Sequence, residues 1–270
     1  MRLGAADGDD GVDHDALLAL ATQVAREAGE LIRRGRRAGI DDVTSKSSAT
    51  DLVTEHDRAA EQLIVGRIGD ARPDDGVIGE EGSSAAGSSG VHWLIDPIDG
   101  TTNFVYGLPG YNVSIAAATG AGTQVAAVYV PALDELFTAV RGAGAACNGT
   151  PIQASGTTDL ATALVATGFS YLVERRRAQA TQVARLIGQV RDIRRSGAAA
   201  YDLCSVAAGR VDAYYERFLG PWDVAAGELI AVEAGCRSGS FDGGPLDNSN
   251  VLVATPALFE PMVALLGETG

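Results

Sequence analysis

His92-Trp93-Leu94-Ile95-Asp96-Pro97-Ile98-Asp99-Gly100-Thr101-Thr102-Asn103-Phe104 sets two carboxylates and a proline behind a short apolar strand, just before a Gly-Thr-Thr helix start. Acids at a strand end in an α/β layout face the crevice where ligands bind. Asp96 and Asp99 cannot both stay anionic at close range without a cation or a proton between them. The amides of the helix start offer donors to an anion. Hard-cation ligands beside an anion cradle point to Mg²⁺-dependent phosphate chemistry.

Upstream, Val77-Ile78 reads as a strand ending on Gly79-Glu80-Glu81-Gly82, and residues 82–90 read as a Gly/Ser/Ala linker without core-forming side chains. Leu17, Leu20, Ala21, Val24, Ala28, Leu31 and Ile32 have helical spacing, with Arg33, Arg34, Arg36 and Arg37 at the C-terminal end that the dipole favours. Residues 38–49 are polar and predict a mobile loop or weak hairpin. Thr54 and Asp57 form a capping-box pair, and Ala60, Leu63, Ile64 and Ile68 continue that helix. Downstream, strands near 113–118, 124–130, 136–140 and Cys147 suggest an antiparallel meander. Strands at 164–167, 192–194, 213–215 and 251–254 then alternate with helices at 175–190, 199–208, 223–234 and 256–266. The reading is a flexible acidic tail over 1–12 and one domain over 13–270. Its 13–155 half is α+β and its 156–270 half α/β, stacked as a layered sandwich.

Composition narrows the function. The chain has 270 residues, 46% of them apolar, a mean hydropathy of +0.08 and a net charge of −14. That charge disfavours nucleic acid and anionic membranes, which need a basic face. It leaves room for a small phosphorylated substrate, because bound cations reverse the local charge. Cys147, Cys204 and Cys236 are scattered, without CxxC spacing, and read as free thiols in a reducing compartment. With no secretory pattern and no apolar run of spanning length, a cytoplasmic protein is expected. Lys46 is the only lysine against 20 arginines. Asp223, at the start of Trp222-Asp223-Val224-Ala225-Ala226-Gly227, reads locally as a helix N-cap before anything else.

Together these pieces resemble the inositol monophosphatase family of Mg²⁺-dependent, lithium-sensitive phosphatases. The matching stretches are Asp51 to Asp57, Gly79 to Gly82, Trp93 to Phe104, Ala213 to Glu216 and Trp222 to Gly227, in the family's order and spacing. The resemblance implies a five-layer αβαβα sandwich, usually a homodimer, with two to three Mg²⁺ ions. Glu80, Asp96 and the Ile98 carbonyl would hold the first ion. Asp96, Asp99 and Asp223 would hold the second, with Asp96 bridging, and Asp57 would lie near a weaker third. Thr101, with Glu80 and Asp57, would activate the attacking water. The amides of Gly100 and Thr101 would bind phosphate. Asp99, Asp223, Glu216 and the Ala198-Ala199 backbone would face the substrate, and Lys46 would sit on a loop closing over the third ion.

His56 and His92 read as packing or surface residues, since imidazole is a poor Mg²⁺ ligand. Cys204 and Cys236 read as core. Attack by Asp96 itself is disfavoured because ligation would occupy its oxygens. Ala198 stands where relatives often carry Ser or Thr, and Tyr201 where a smaller residue is common, so substrate is less defined than reaction. The expected substrate is an inositol or similar polyol monophosphate, since residues 159–177 show no second phosphate pocket. Fructose 1,6-bisphosphate, histidinol phosphate and 3′-phosphoadenosine 5′-phosphate are the alternatives within the family. The rival from another class is a non-catalytic regulator that binds RNA polymerase or another macromolecule.

Overall fold

The computed structural model describes residues 12–40, 43–46 and 51–267. The expected tail lies outside them apart from Val12, as do residues 41–42 and 47–49 of the polar loop. Leu17, Ala21, Val24, Ala28 and Ile32 bury one face of α1 (His14–Ala38), whose N-terminus is capped where Asp13 Oδ1 accepts from Ala16 N at 3.0 Å. The loop forms a minimal hairpin, β1 (Val43–Ser45) against β2 (Leu52–Thr54). In α2 (Glu55–Ala71), Thr54 and Asp57 make the capping box expected from the sequence.

The next strands are β3 (Gly76–Gly79), β4 (Ser84–Ala85) and β5 (His92–Asp99), followed by the short helix α3 (Thr101–Tyr106). The meander is β6 (Asn112–Thr119), β7 (Gly122–Val130), β8 (Glu135–Val140), β9 (Gly144–Cys147) and β10 (Thr150–Pro151). These make one sheet in the order β10-β9-β8-β7-β6-β5-β3-β4. The alternating half comprises β11 (Leu164–Thr167), α4 (Val173–Leu186), β12 (Asp192–Arg194), α5 (Ala199–Ala207), β13 (Ala213–Arg217), α6 (Pro221–Glu233), β14 (Arg237–Gly239), β15 (Asn250–Ala254) and α7 (Pro256–Gly267). Its sheet runs β12-β11-β13-β15-β14 and is parallel only among β12, β11 and β13.

Period-two alternation assigns each sheet face to a layer. Val113, Ile115 and Ala117 of β6 pack under α1 and α2, while Ala116 and, on β7, Ala126 and Val128 face α5 and α6. Tyr214, Val251 and Val253 meet those helices from the second sheet, whose other face buries Val165 and Leu252 against Leu258, Phe259 and Met262 of α7. The layers therefore follow αβαβα.

Three details depart from expectation. The 82–90 stretch is not only linker, because Ser84–Ala85 pairs with β3. Strand β5 continues through Asp96 to Asp99, with a register shift against β6 between those two residues. Pro97 is tolerated there because β3 ends opposite Ile95, so no ladder bond is lost on that side. The edge strand β14, Arg-Ser-Gly, carries no apolar alternation that could have announced it.

The entry to β3 and β5 is tied by buried Asp75, which accepts from Arg72 Nε (2.9 Å), Ser89 Oγ (2.6 Å) and the indole of fully buried Trp93 (2.9 Å). Asp75→Ala leaves that indole N–H and the Arg72 guanidinium unmatched, and should destabilise the fold by about 2–4 kcal/mol. Urea unfolding checks it; a loss within ±0.5 kcal/mol, about that of an ordinary surface change, would deny Asp75 this role.

Candidate active site

Asp96 and Asp99 from β5 and Asp223 from α6 bring carboxylate oxygens within 4.8 Å of one another. Their supports differ. Asp96 Oδ1 accepts from the Ile98 amide at 3.0 Å, and its carboxyl also shares hydrogen bonds with Glu80 and Asp223. Asp99 accepts from Asn112 Nδ2 (2.8 Å), Ala199 N (3.1 Å) and Ala200 N (2.8 Å). The last two are the free amides of α5, whose N-cap, Ala198, has no side-chain oxygen to offer. A carboxylate from the other half of the chain thus does the capping that a Ser or Thr N-cap side chain ordinarily does. Asp223 Oδ2 accepts from Gly220 N at 2.6 Å, so its local reading as a helix-start residue holds in part while it faces the two other acids.

Burial, then Glu80, Asp99 and Asp223, push the Asp96 carboxyl well up. Burial followed by Glu80 and Asp99 does the same to Asp223. Asp99 is pushed up to about 6 by burial, against the pull of its three donors. Glu80 stands just outside the triad and is held by Lys46, whose Nζ lies 2.8 Å from Glu80 Oε1 and 2.5 Å from Glu81 Oε1. Burial works against the Lys46 charge, but Glu80 and Glu81 outweigh it and keep the ammonium protonated. Glu61 positions this turn by accepting from the Glu81 and Ser83 amides at 2.8 and 2.9 Å, and nothing in the local pattern singled it out.

Behind the acids, Asp57 is fully buried. Its Oδ2 accepts from Thr54 N (2.8 Å) and Thr54 Oγ1 (2.6 Å), and its Oδ1 faces Thr101 Oγ1 at 3.1 Å. Thr101 Oγ1 is also 3.1 Å from the Ile98 carbonyl, so its one proton serves either acceptor. Gly100 is left-handed at φ 85°, and a Cβ there would come within 2.9 Å of Ala198 Cβ. Only glycine fits that turn.

Glu80, Asp96, Asp99, Gly100, Thr101 and Asp223 line a cavity of about 450 Å³, with Gly168 to Leu172, Gly197 to Ala199 and Glu216 on its walls. Tyr214 donates to Glu216 Oε2 at 2.6 Å, and burial pushes the Glu216 carboxyl up to about 7. Asp202 also lines the cavity, pushed up to about 7 chiefly by burial. Asp202, Asn112 and Arg195 escaped sequence reading because their importance arises from contacts across the fold. The 159–177 segment, expected to bring no second phosphate pocket, contributes Arg175 to the wall.

The residues expected to be passive are so. His56 packs edge-on to Phe104 at 5.6 Å, and His92 is exposed. Cys204 and Cys236 are buried, and burial pushes the Cys236 thiol up to about 12. No helix among the described residues is long and apolar enough to cross a membrane. An oxygen-only donor set of clustered carboxylates fits a hard divalent cation such as Mg²⁺.

A layered sandwich with such a cluster at the end of its first sheet is the architecture of a phosphatase of the type its motifs resemble. The profile of the Inositol monophosphatase family matches residues 13–268. The chain is 41% identical over 251 residues to a Nus factor SuhB of Pasteurella multocida (92% of this chain, 94% of the other). It is 42% identical over 271 residues to an inositol-1-monophosphatase SuhB of Mycobacterium tuberculosis (93% of each). The crystal structure of the extragenic suppressor protein suhB from Bartonella henselae superposes with a TM-score of 0.90 at 33% identity, covering 94% of this chain and all of that one. The chain belongs to the inositol monophosphatase family.

The raised carboxyls give a pH prediction. Asp99 (about 6), Asp202 (about 7) and Glu216 (about 7) hold protons in the folded state at pH values where the unfolded chain has released them. Metal-free protein should therefore lose stability as pH rises from about 4 to 7. Asp202→Asn and Glu216→Gln should each flatten that slope, read as Tm against pH in EDTA. A slope unchanged in both variants would contradict it.

Proposed function

We propose that this chain is a Mg²⁺-dependent phosphomonoesterase that hydrolyses inositol monophosphate or a close polyol analogue. The observation that carries the reading is the Asp96, Asp99 and Asp223 cluster at the floor of a cavity whose far wall ends on Glu216. Glu80, Asp96 and the Ile98 carbonyl would hold one ion, Asp96, Asp99 and Asp223 a second, and Asp57 would lie near a third. Bound there, Mg²⁺ would supply Lewis-acid neutralisation of the phosphate and acidify water.

The rest falls to the chain's own groups. Thr101 Oγ1, handing its proton to Asp57, turns a lone pair toward the cavity to accept a proton from the attacking water. The Gly100 and Thr101 amides bind phosphate oxygens where the left-handed glycine clears the way. Asp99, which accepts three donors and keeps a lone pair on Oδ1 for an ion, holds the α5 start and with it the Ala198-Ala199 backbone against the alcohol. Glu216, kept in place by Tyr214, accepts from a substrate hydroxyl. Lys46 neutralises Glu80 and Glu81 until cations do so.

A cavity of this size suits a polyol monophosphate. Arg175 and Arg195 on its wall keep the bisphosphate and nucleotide alternatives in the assay. The same reading takes 13–270 as one catalytic unit and the protein as a homodimer. A second role, binding a macromolecular partner, is favoured by the Nus factor naming of the Pasteurella relative. Partners retained by an Asp96→Asn variant would support it beside catalysis.

The test is phosphate release with and without Mg²⁺ across inositol, fructose, histidinol and nucleotide phosphates. Turnover should require Mg²⁺ and favour inositol monophosphate. Asp96→Asn should keep its fold yet lose at least about 10²–10³-fold, the several kcal/mol that cation neutralisation is worth. Wild-type-like activity in that variant would sink the assignment.

A further inference from the structure

The end of α1 carries a second cavity, about 560 Å³, that shares no lining residue with the catalytic one. Arg33, Arg36 and Arg37 converge on it beside Tyr111 and Tyr129. Its two acids are engaged. Glu30 takes both prongs of Arg33 at 2.8 and 2.9 Å, and Asp134 accepts from the Tyr129 hydroxyl at 2.9 Å with Arg26 3.6 Å away. Neither Arg36 nor Arg37 forms an ion pair among the described residues. Arg36 Nε is buried and has no hydrogen-bond partner. Its guanidinium presses on the backbone of left-handed Gly107, where a Cβ would lie 2.5 Å from Nη2. Arginines in the last turn of a helix ordinarily complement its dipole. That role explains neither a buried, unmatched Nε nor a cavity gathered around three guanidiniums.

Burial pushes the Tyr111 phenol up while Arg36, Arg33 and Arg37 pull it the other way, which sets all three charges about one ring. Two guanidiniums without an ion pair among the described residues, on one cleft, match the oxygens of a phosphate group. They do so on a protein whose net charge of −14 would otherwise repel anions, so local focusing must supply the attraction.

We propose that this cleft is a binding site for one compact phosphate group, free or esterified, held by Arg36 and Arg37 and separate from the catalytic centre. The test uses the full chain freed of metal with EDTA, so that esters are not turned over. Inorganic phosphate, pyrophosphate and glycerol 3-phosphate are titrated calorimetrically. One saturable site per chain is expected, weakening with added salt. Arg36→Gln/Arg37→Gln should bind at least tenfold more weakly, whereas Arg175→Gln/Arg195→Gln in the catalytic cavity should bind as wild type does. Equal affinities for phosphate and ester would assign the site to the free ion, and tighter ester binding to a phosphorylated metabolite. As a check independent of folding in the variant, phenylglyoxal labelling of Arg36 and Arg37 in the wild type, read by mass spectrometry, should fall when pyrophosphate is present. No saturable binding, loss of binding in the Arg175/Arg195 variant instead, or labelling unchanged by pyrophosphate would each overturn the proposal.

Discussion

Three carboxylates forced within 4.8 Å of one another are the constraint around which this molecule is organised. Buried like charges are tolerated only where protons, cations or donors offset them. The fold offers each acid a different measure of relief. Asp99 receives three donors, Asp223 one backbone amide, and Asp96 a single amide at its own turn. Preorganised acids that lack internal partners leave their electrostatic need to be met by something that enters the cavity.

The layers follow from meeting this demand from both halves of the chain. Strand β5 delivers Asp96 and Asp99, and the start of α6 delivers Asp223. The amides that quiet Asp99 belong to α5, in the layer sandwiched between the two sheets. Core packing of Leu203, Leu229 and Ile230 against both sheets holds α5 and α6 in that position. Asn103, from α3, donates to the Ser196 carbonyl at 2.8 Å and ties the α5 loop to the Gly100 turn. Small displacements of either half would therefore alter the acid cluster and the Gly100 turn together.

Much of this was legible in the chain. The amphipathic spacing of α1, the capping pair of Thr54 and Asp57, and the strands at 164–167 and 192–194 rest on local periodicity and local hydrogen bonds, which sequence carries directly. The acids Glu80, Asp96 and Asp99 stood out because the apolar pattern places each at or just beyond the end of a short apolar run. What stayed hidden depends on distant partners. Asp202 looks like an ordinary first-turn acid until the fold buries it beside the cavity, and Glu61 like a surface helix residue until the Glu81 and Ser83 amides arrive. The pair β3 and β4 escaped notice because Ser84–Ala85 has no side-chain pattern; its pairing comes from backbone alone. Arg36 read as a dipole-complementing residue, and only packing against Gly107 shows its Nε buried without an acceptor.

Lys46 brings the same electrostatic logic to the loop side. Its ammonium forms ion pairs with both Glu80 and Glu81. Asp96, Asp99 and Asp223 have no such internal cation among the described residues. Lys46 follows the exposed strand β1 and its side chain is only partly buried. A cation fixed in the core could not leave without breaking the layers. The molecule thus meets Glu80 and Glu81 with a side-chain cation on the loop side, and leaves Asp96, Asp99 and Asp223 dependent on ions or protons from outside.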